Sequence, residues 1–280
     1  MRLARGVTRF GAAPQLFAIT DDVAVVLNVP AAPDPLLEVL RAAQAWTDLA
    51  PASVPPVPLA ELRLLSPIER PGKIIAIGLN YHDHTAETGL QAPSEPLTFA
   101  KYPTSITGPS DEIVVPTTLT KRVDWEAELA FVIGRRCGPH RRGTIADIAG
   151  YTVANDVSAR DLQFGDKQWT RGKSLDTFCP LGPTLVSPDE FGDLAGHRIW
   201  ATVNGSSMQD GTTSDLIFDV PTLLDSITAG VTLEPGDLVL TGTPPGVGGF
   251  RTPPVFLADG DVVRVGVEGI GELVNRVRWN

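Results

Sequence analysis

Two glutamates lie two residues apart in an apolar stretch, residues 123–133, whose composition is typical of a buried strand. Because side chains on a strand alternate between its two faces, we expect Glu126 and Glu128 to point the same way, opposite to the apolar residues that alternate with them. Two carboxylates held side by side repel each other unless a cation lies between them. The alternative is that the pair lines the solvated face of an amphipathic strand.

A third carboxylate, Asp156, ends another strand candidate at residues 151–156. Three carboxylates with few soft ligands nearby suit a hard divalent cation such as Mg²⁺ or Mn²⁺. The sequence therefore offers Glu126, Glu128 and Asp156 as candidate metal ligands.

A polar segment at residues 80–89 holds two of the four histidines, His82 and His84. His84 and Glu87 are three residues apart and would share one face of a helical turn, where a histidine–carboxylate pair can orient and deprotonate a water molecule. A solvated loop with incidental histidines is the alternative. Metal ligation by His82 and His84 from a strand fits poorly, because Asn, Asp and Thr surround them.

The sequence Gly172-Lys173-Ser174 resembles the end of a phosphate-binding loop, but Lys167 stands where such a loop needs its first glycine. Lys173 is therefore interpreted as a single cation aimed at an anion. A surface lysine is the alternative.

A strand candidate at residues 237–240 runs into a turn rich in Gly and Pro, where Thr241 and Thr243 would add hydroxyls to backbone amides that approach a ligand closely. A plain tight turn is the alternative. Neither Cys137 nor Cys179 belongs to a Cys-x-x-Cys pair, and the apolar neighbours of Cys179 indicate a core position.

A chain rich in strand signals must position these candidate groups. Residues 1–70 are interpreted as a small separate segment with three strand candidates and a helix at residues 35–46. Residues 71–280 contain many short strands separated by Gly/Pro turns, with helices expected at residues 221–229 and 145–149. Because no regular βαβ alternation is present, we expect a mostly antiparallel sandwich or roll rather than a Rossmann fold or a TIM barrel.

The overall composition limits the classes of function. The 280 residues carry 33 acidic and 23 basic side chains, for a formal net charge of −10, which argues against a nucleic-acid-binding protein. We see no signal peptide and no run of about 20 apolar residues for a membrane helix, and two distant cysteines do not indicate a disulfide framework. We therefore expect a cytoplasmic globular protein.

Taken in chain order, these motifs resemble the fumarylacetoacetate hydrolase family. The resemblance runs from about residue 70 to the C-terminus, and single motifs are weak whereas the ordered set is specific. The segments that carry it are Ile77-Gly78-Leu79-Asn80-Tyr81-x-x-His84, Phe99-Ala100-Lys101, Asp124-Trp125-Glu126-x-Glu128-Leu129, Gly150-Tyr151-Thr152-x-x-Asn155-Asp156-Val157-Ser158-Ala159-Arg160-Asp161, Lys173-Ser174-x-Asp176, Thr241-Gly242-Thr243-Pro244-x-Gly246-Val247-Gly248 and Gly260-Asp261-Val262-Val263.

The resemblance implies an α+β, strand-rich fold: a mixed β-roll, residues 71–280, with a small N-terminal α/β domain, residues 1–70. It also implies Mg²⁺, with Mn²⁺ or Ca²⁺ as alternatives, held by Glu126, Glu128 and Asp156.

The same resemblance implies roles for other side chains. His84 and Glu87 match a water-activating pair, and Lys173 matches the lysine that meets the substrate's developing negative charge. The positions that correspond to substrate contacts are Arg160, Gln163, Thr243 and Tyr81. For Arg160, a structural ion pair with a neighbour such as Asp161 is the alternative.

Family substrates are 2-oxo acids, often with a second oxo group at C4. The resemblance therefore implies an enzyme of aromatic compound catabolism. This enzyme would be a metal-dependent hydrolase that cleaves a C–C bond in an acylpyruvate-type 2,4-dioxo acid, such as fumarylpyruvate, and releases pyruvate. Oxaloacetate decarboxylase and 2-hydroxyhepta-2,4-diene-1,7-dioate isomerase/decarboxylase are the alternatives, because one site suits several reactions that share a pyruvate enolate. An alternative from another class of function is a family member that binds an anionic ligand without catalysing a reaction.

The expected partners are a small anionic 2-oxo acid as substrate and, by resemblance, a second copy of the chain in a homodimer. Neither a nucleic acid nor a membrane is expected.

Overall fold

The computed structural model describes residues 1–8, 12–83 and 93–280. Within these residues, strands outnumber helices and form one large mixed sheet, a five-stranded sheet and a two-stranded ladder. The α+β, strand-rich class expected from the sequence is confirmed.

The described elements are numbered along the chain. The strands are β1 (Arg2–Val7), β2 (Gln15–Thr20), β3 (Val23–Val26), β4 (Val57–Pro58), β5 (Arg63–Leu65), β6 (Ile74–Gly78), β7 (Leu97–Lys101), β8 (Ile106–Thr107), β9 (Ile113–Val115), β10 (Val123–Asp124), β11 (Ala127–Ile133), β12 (Ile148–Asn155), β13 (Ser158–Ala159), β14 (Cys179–Val186), β15 (Arg198–Val203), β16 (Ser206–Thr212), β17 (Leu238–Leu240), β18 (Val262–Val267) and β19 (Gly271–Trp279). The α-helices are α1 (Pro35–Arg41), α2 (Arg160–Asp166), α3 (Thr170–Lys173), α4 (Pro188–Phe191) and α5 (Val220–Thr228).

The large sheet runs in the order β4-β3-β2-β1-β14-β12-β11-β17-β6-β7, with β5 beside β1 and β8 beside β14. The five-stranded sheet has the order β16-β15-β18-β19-β9, and β10 pairs with β13. The expectation of mostly antiparallel pairing is confirmed among the described strands, although β6 with β17, β8 with β14 and β9 with β19 are parallel. The result is a mixed arrangement in which distant parts of the chain become neighbours.

The central strand β11 explains why its sequence is so apolar. All seven of its residues are buried, since one face packs in a core with the five-stranded sheet and the other in a core shared with the N-terminal segment. Strands covered on both faces are expected to be nearly continuous runs of apolar residues. A carboxylate on such a strand needs a specific partner, because burying a lone charge is costly.

The N-terminal segment joins the same sheet. Strand β1 pairs antiparallel with β14 through Arg2 with Val186 and Leu3 with Leu185. The division between residues 1–70 and 71–280 stays a prediction, since strands from both sides share one ladder.

Helices depart most from the sequence-based expectations. Helix α1 begins at Pro35 as expected but ends at Arg41, and the expected helix at residues 145–149 is a single 3₁₀ turn, Ile145–Asp147, followed directly by β12. Helices α2 and α3 were not predicted, because their residues show no apolar repeat at helical spacing. Among the described helices, none combines the length and the hydropathy needed to cross a membrane.

Helices α2 and α3 pack unusually closely at Gly172. A Cβ at this position would lie 2.7 Å from the backbone nitrogen of Gln163 and 2.9 Å from the carbonyl oxygen of Ala159. The absence of a side chain therefore lets α3 approach α2, and this approach brings Lys173 towards the N-terminal end of β11.

Candidate active site

Three carboxylates converge at the N-terminal end of β11. One oxygen each from Glu126, Glu128 and Asp156 lies within 4.8 Å of the others. Strand pairing causes this, because β11 and β12 are neighbours and the Asp156 N–H donates to the Glu126 carbonyl at 2.9 Å. Glu126 is 6% exposed and Glu128 is 1% exposed, so the alternative of a solvated strand face is wrong.

Two buried lysines contact this group. The Lys173 ammonium lies 2.8 Å from Glu126 Oε2 and 2.7 Å from Asp156 Oδ2. The Lys101 ammonium lies 2.6 Å from Asp156 Oδ1 and also donates to the carbonyls of Lys173 and Phe178. Burial by itself lowers the pKa of Lys173, but the charges of Asp156 and Glu126 outweigh it, so the net pKa is raised and the ammonium keeps its proton. The alternative of a surface lysine at this position is wrong.

A third cation, Arg160, links three side chains. Its Nε donates to Asp124 at 2.7 Å, its Nη2 to Glu126 at 2.5 Å and its Nη1 to Gln163 Oε1 at 2.9 Å. The suggested structural ion pair is present, but its partners are Asp124 and Glu126. Asp161 is not a partner, because its carboxylate accepts hydrogen bonds from Thr120 and Lys121. Arg160 therefore belongs to the acidic group at the N-terminal end of β11.

Together these side chains form what we call the buried charge cluster. It contains four carboxylates and three cations: Asp124, Glu126, Glu128, Asp156, Lys101, Arg160 and Lys173. At their ordinary charges they leave one negative charge in the interior. Burial, followed by the charges of Asp156 and Glu126, raises the pKa of Glu128 well above its usual range. The cluster is therefore one in which an additional cation would be stabilising.

The donor set fits a divalent metal ion. Glu128 accepts a hydrogen bond from the Gly242 N–H at 2.6 Å but forms no ion pair with any described residue, and a fully buried carboxylate without a cation is costly. The converging oxygens are all carboxylate oxygens, which Mg²⁺ and similar hard cations prefer. Glu126, Glu128 and Asp156 are therefore the residues that would hold such an ion.

A cavity of about 290 Å³ opens beside the cluster. Its polar lining consists of Glu126, Arg160, Gln163, Lys173 and Thr243. Its aromatic lining consists of Phe99, Phe164, Trp169 and Phe250. Trp169 meets Phe99 edge to face, with 5.3 Å between ring centroids, and the Lys173 ammonium lies 5.3 Å from the Phe99 ring centroid. The cavity thus has a charged floor and apolar walls.

The structure brings some of the predicted substrate-binding residues to this cavity and leaves another outside its lining. Arg160, Gln163 and Thr243 line the cavity, whereas Tyr81 is fully buried outside its lining. The Tyr81 hydroxyl has no hydrogen-bond partner among the described residues, and burial together with the Glu128 charge raises its pKa. The predicted catalytic pair, His84 and Glu87, lies outside the described residues.

Sequence reasoning missed three members of the site. Asp124 lies two residues before Glu126 and would point to the same side of a strand as Glu126 and Glu128, so the alternation of side chains could have identified it. Lys101 was noted in a motif but given no role, because its contact with Asp156 spans 55 residues of chain. Gln209 carried no signal in the sequence, yet its side chain links the β11 backbone to Thr243.

Comparisons with known proteins agree with this geometry. The family model described as "Fumarylacetoacetate (FAA) hydrolase C-terminal" matches residues 73–278. The human protein named "Oxaloacetate tautomerase FAHD2A, mitochondrial" is 43% identical over 276 residues, which cover 94% of this chain and 87% of the human one.

Two solved structures show the same likeness over the whole chain. A 2-hydroxyhepta-2,4-diene-1,7-dioate isomerase from Mycobacterium marinum matches with a TM-score of 0.78 at 36% identity, covering 100% of this chain and 99% of its own. A maleylpyruvate hydrolase from a Sphingobium species matches with a TM-score of 0.79 at 29% identity, covering 100% of both chains. Relatives with different named activities therefore share this architecture.

Proposed function

The chain belongs to the fumarylacetoacetate hydrolase family, and on that basis we propose that it interconverts the keto and enol forms of a small 2-oxo acid with the help of a divalent metal ion. One observation carries the proposal: a buried group of Glu126, Glu128 and Asp156 adjoins a small cavity whose floor also presents Lys173. The family includes enzymes, and the relatives' names include a tautomerase, an isomerase and a hydrolase.

The charge of the site supports an anionic substrate. The buried charge cluster carries one formal negative charge, so a divalent cation would leave one positive charge facing the cavity. That charge suits the carboxylate of a 2-oxo acid. A metal ion held by these carboxylates would supply Lewis-acid polarisation of the substrate's oxygens.

Lys173 has the properties of a fixed cation and hydrogen-bond donor. Its ammonium contacts Glu126 and Asp156, whose charges raise its pKa, so we assign it the role of a protonated donor. In this proposal the Nζ–H group faces the 2-oxo oxygen, which becomes negative as the enolate forms. Preorganised donors directed at developing charge contribute strongly to catalysis in sites that exclude water.

Gln163 presents donors to the same cavity. Arg160 can only donate hydrogen bonds, so the Gln163 atom 2.9 Å from its Nη1 is the amide oxygen. The Gln163 amide nitrogen is thereby directed away from Arg160, and no described residue accepts from it. We assign this N–H group to an oxygen of the substrate.

Movement of the proton at C3 requires a base on the carbon side. The chain's candidates are His84 and Glu87, which are three residues apart in the sequence. In this proposal they take the C3 proton, while Lys173 stabilises the oxygen.

Hydrolysis of an acylpyruvate is the second candidate. It uses the same enolate but adds attack of water at C4, which the His84–Glu87 pair would activate. The resemblance to the maleylpyruvate hydrolase favours it, whereas enol chemistry depends only on groups that both reactions share. We therefore rank tautomerisation first.

A substrate panel tests the proposal directly. Oxaloacetate enol would be followed by its ultraviolet absorbance, decarboxylation by pyruvate formation, and cleavage of acetylpyruvate by release of acetate and pyruvate, each with Mg²⁺ and after chelation. We expect metal-dependent ketonisation of the enol. Cleavage of acetylpyruvate without ketonisation would establish the second candidate instead.

The variant Lys173→Met tests the assigned cation. We expect its kcat to fall on the order of 10²–10³-fold, as for loss of one preorganised electrostatic group. Lys167→Met is the matched control, because Lys167 is exposed in the turn after α2. A wild-type rate in Lys173→Met, or no metal-dependent turnover by the wild-type protein, would contradict the proposal.

A further inference from the structure

Gln209 is the one fully buried residue of strand β16 within the part of the chain that the structure describes. Its side chain is 1% exposed, while the neighbouring residues of β16 are partly or fully accessible. Strand β16 is an edge strand of the five-stranded sheet, and none of its residues lines the cavity. A glutamine buried at such a position needs hydrogen-bond partners for its amide, and the partners define what it does.

The orientation of the Gln209 amide is fixed by its neighbours. The Ala127 N–H lies 2.9 Å from one amide atom and can only donate, so that atom is the oxygen. The amide nitrogen therefore lies on the other side, where it donates to Thr243 Oγ1 at 2.8 Å and to the Pro244 carbonyl at 2.7 Å. Both N–H groups of the amide are used on the loop that lines the cavity.

This orientation determines the direction of the Thr243 hydroxyl. Because Thr243 Oγ1 accepts from Gln209, its own hydrogen must point elsewhere, and no described residue accepts it. Thr243 is 4% exposed and lines the cavity. The hydroxyl is thus presented to the cavity as a hydrogen-bond donor.

The other end of Gln209 lies at the carboxylate group. Ala127 is the residue between Glu126 and Glu128, at the start of β11. The single amide therefore connects the backbone that carries two candidate metal ligands with the loop that carries Thr243. Gln209 is 82 residues from Ala127 and 34 residues from Thr243 along the chain.

We propose that Gln209 is a positioning residue that holds the Thr243 hydroxyl as a donor to an anionic oxygen of the bound ligand. The inference rests on the proposed function in one respect, namely that the ligand is a small carboxylate bound beside Glu126 and Glu128. It adds a requirement on that ligand, which must present an acceptor to Thr243.

Gln209→Glu tests the direction of the hydrogen bonds. The glutamate retains an oxygen for the Ala127 N–H, but its second oxygen cannot donate. The Pro244 carbonyl therefore loses its donor, and the Thr243 hydroxyl turns to donate to the carboxylate and is withdrawn from the ligand. We would measure binding of oxalate, a small dicarboxylate probe, by calorimetry with saturating Mg²⁺. We expect the affinity to fall about 10–100-fold, the range for a lost hydrogen bond to a charged group.

A double-mutant cycle separates this role from added charge or a general structural defect. Thr243→Val should also weaken oxalate binding about 10–100-fold, and Thr243→Ser should recover most of that loss because the hydroxyl returns. In the Thr243→Val background, Gln209→Glu should have little further effect. Gln44→Glu, the same change at an exposed residue after α1, controls for net charge, and thermal unfolding checks that each variant folds.

The possible failures are distinguishable. If wild-type protein with Mg²⁺ does not bind oxalate, the proposed function fails. If wild-type protein binds oxalate but the losses in Gln209→Glu and Thr243→Val are fully additive, or if Thr243→Val binds normally, the positioning role fails while the proposed function stands. Should Gln209→Glu not fold, the comparison of Thr243→Val with Thr243→Ser still decides whether the hydroxyl acts as a donor.

Discussion

At the residue scale, the site depends on shared atoms rather than isolated pairs. Glu126 accepts from both Arg160 and Lys173, and Asp156 accepts from both Lys101 and Lys173. Removing one member of such a network leaves the others as buried charges without a full set of partners, which is more damaging than losing an exposed ion pair. Glu128 differs, because it has no cation of its own among the described residues.

Glu128→Gln should therefore separate metal binding from stability. We expect the Mg²⁺ affinity, measured by calorimetry, to fall at least about 100-fold. Such a loss exceeds the range for residues that hydrogen-bond to metal ligands without contacting the metal ion themselves. The chelator-treated variant should be at least as stable as wild-type protein, because glutamine keeps an acceptor for the Gly242 N–H and removes a buried negative charge.

The sign of the pH dependence follows from Glu128. The pKa of Glu128 is higher in the folded state than in the unfolded state, so folding favours its protonated form. Its contribution to the stability of chelator-treated protein is therefore fully present at pH values below the unfolded-state pKa. That contribution is lost as pH rises through the folded-state pKa. Glu128→Gln should flatten this dependence in denaturant unfolding, whereas Glu272→Gln, at a half-exposed surface ion pair, should not. Lower stability of the chelated Glu128→Gln protein would contradict this account.

At the element scale, the close packing of α3 on α2 positions Lys173. Gly172→Ala would place a methyl group against backbone atoms of Gln163 and Ala159, which cannot move aside as a flexible side chain would. We expect α3 to shift and catalytic activity to fall at least about tenfold, since a displacement of roughly 1 Å in a site can cost about a hundredfold.

Gly165→Ala is the matched control in α2. Nothing lies within 4 Å of a Cβ at Gly165, so this variant should retain activity and gain up to about 1 kcal/mol of helix stability. Equal activity of the two alanine variants in steady-state assays would show that the contact at Gly172 does not position Lys173.

Asp147 holds the connection between β11 and β12. Its carboxylate accepts from Arg135 at 2.6 Å, from Arg141 at 3.0 Å and from the Thr144 N–H at 3.0 Å. Burial raises its pKa, but these hydrogen bonds outweigh that effect and leave the pKa below its ordinary value. Its stabilising effect is therefore present above the unfolded-state pKa and lost as pH falls through the folded-state value.

Asp147→Asn should accordingly destabilise the protein by about 1–3 kcal/mol at neutral pH, with a smaller difference from wild type in strongly acidic solution. Denaturant unfolding at both pH values measures this. Asp166→Asn removes an ion pair with the exposed Arg171 and should have a much smaller effect. A difference for Asp147→Asn that stays constant across pH would exclude the charge as its cause.

The sequence revealed the acidic centre because strand alternation is a local rule. Glu126 and Glu128 share a face whatever the rest of the chain does, and Asp156 could be joined to them once two strand candidates were recognised. Lys101 and Gln209 could not be found this way, because their contacts are created by pairing across tens of residues. Helices α2 and α3 escaped detection since packing on β-structure, not an apolar repeat, stabilises them.

At the scale of the whole molecule, residues before and after position 70 share one apolar core. Leu3, Leu16 and Leu36 pack in the same core as Leu181 and Leu238. The homodimer and the cytoplasmic location expected from the sequence stay predictions, and the name of the human relative places that protein in mitochondria.

The shared core predicts that the protein unfolds in a single cooperative transition. Scanning calorimetry should give a calorimetric enthalpy equal to the van't Hoff enthalpy, because separation of the two segments would expose leucines from both. Two resolved transitions, the smaller from residues 1–70, would instead support an independent N-terminal domain.

The edge-to-face contact between Trp169 and Phe99 has a practical consequence. An indole in the wall of the cavity reports the polarity around it through its emission, so a ligand that displaces water there should change the fluorescence of the unlabelled protein. The protein contains five tryptophans, and a Trp169→Phe variant would isolate the signal from this ring. The site therefore carries its own optical probe, suited to rapid-mixing measurements of ligand entry and departure.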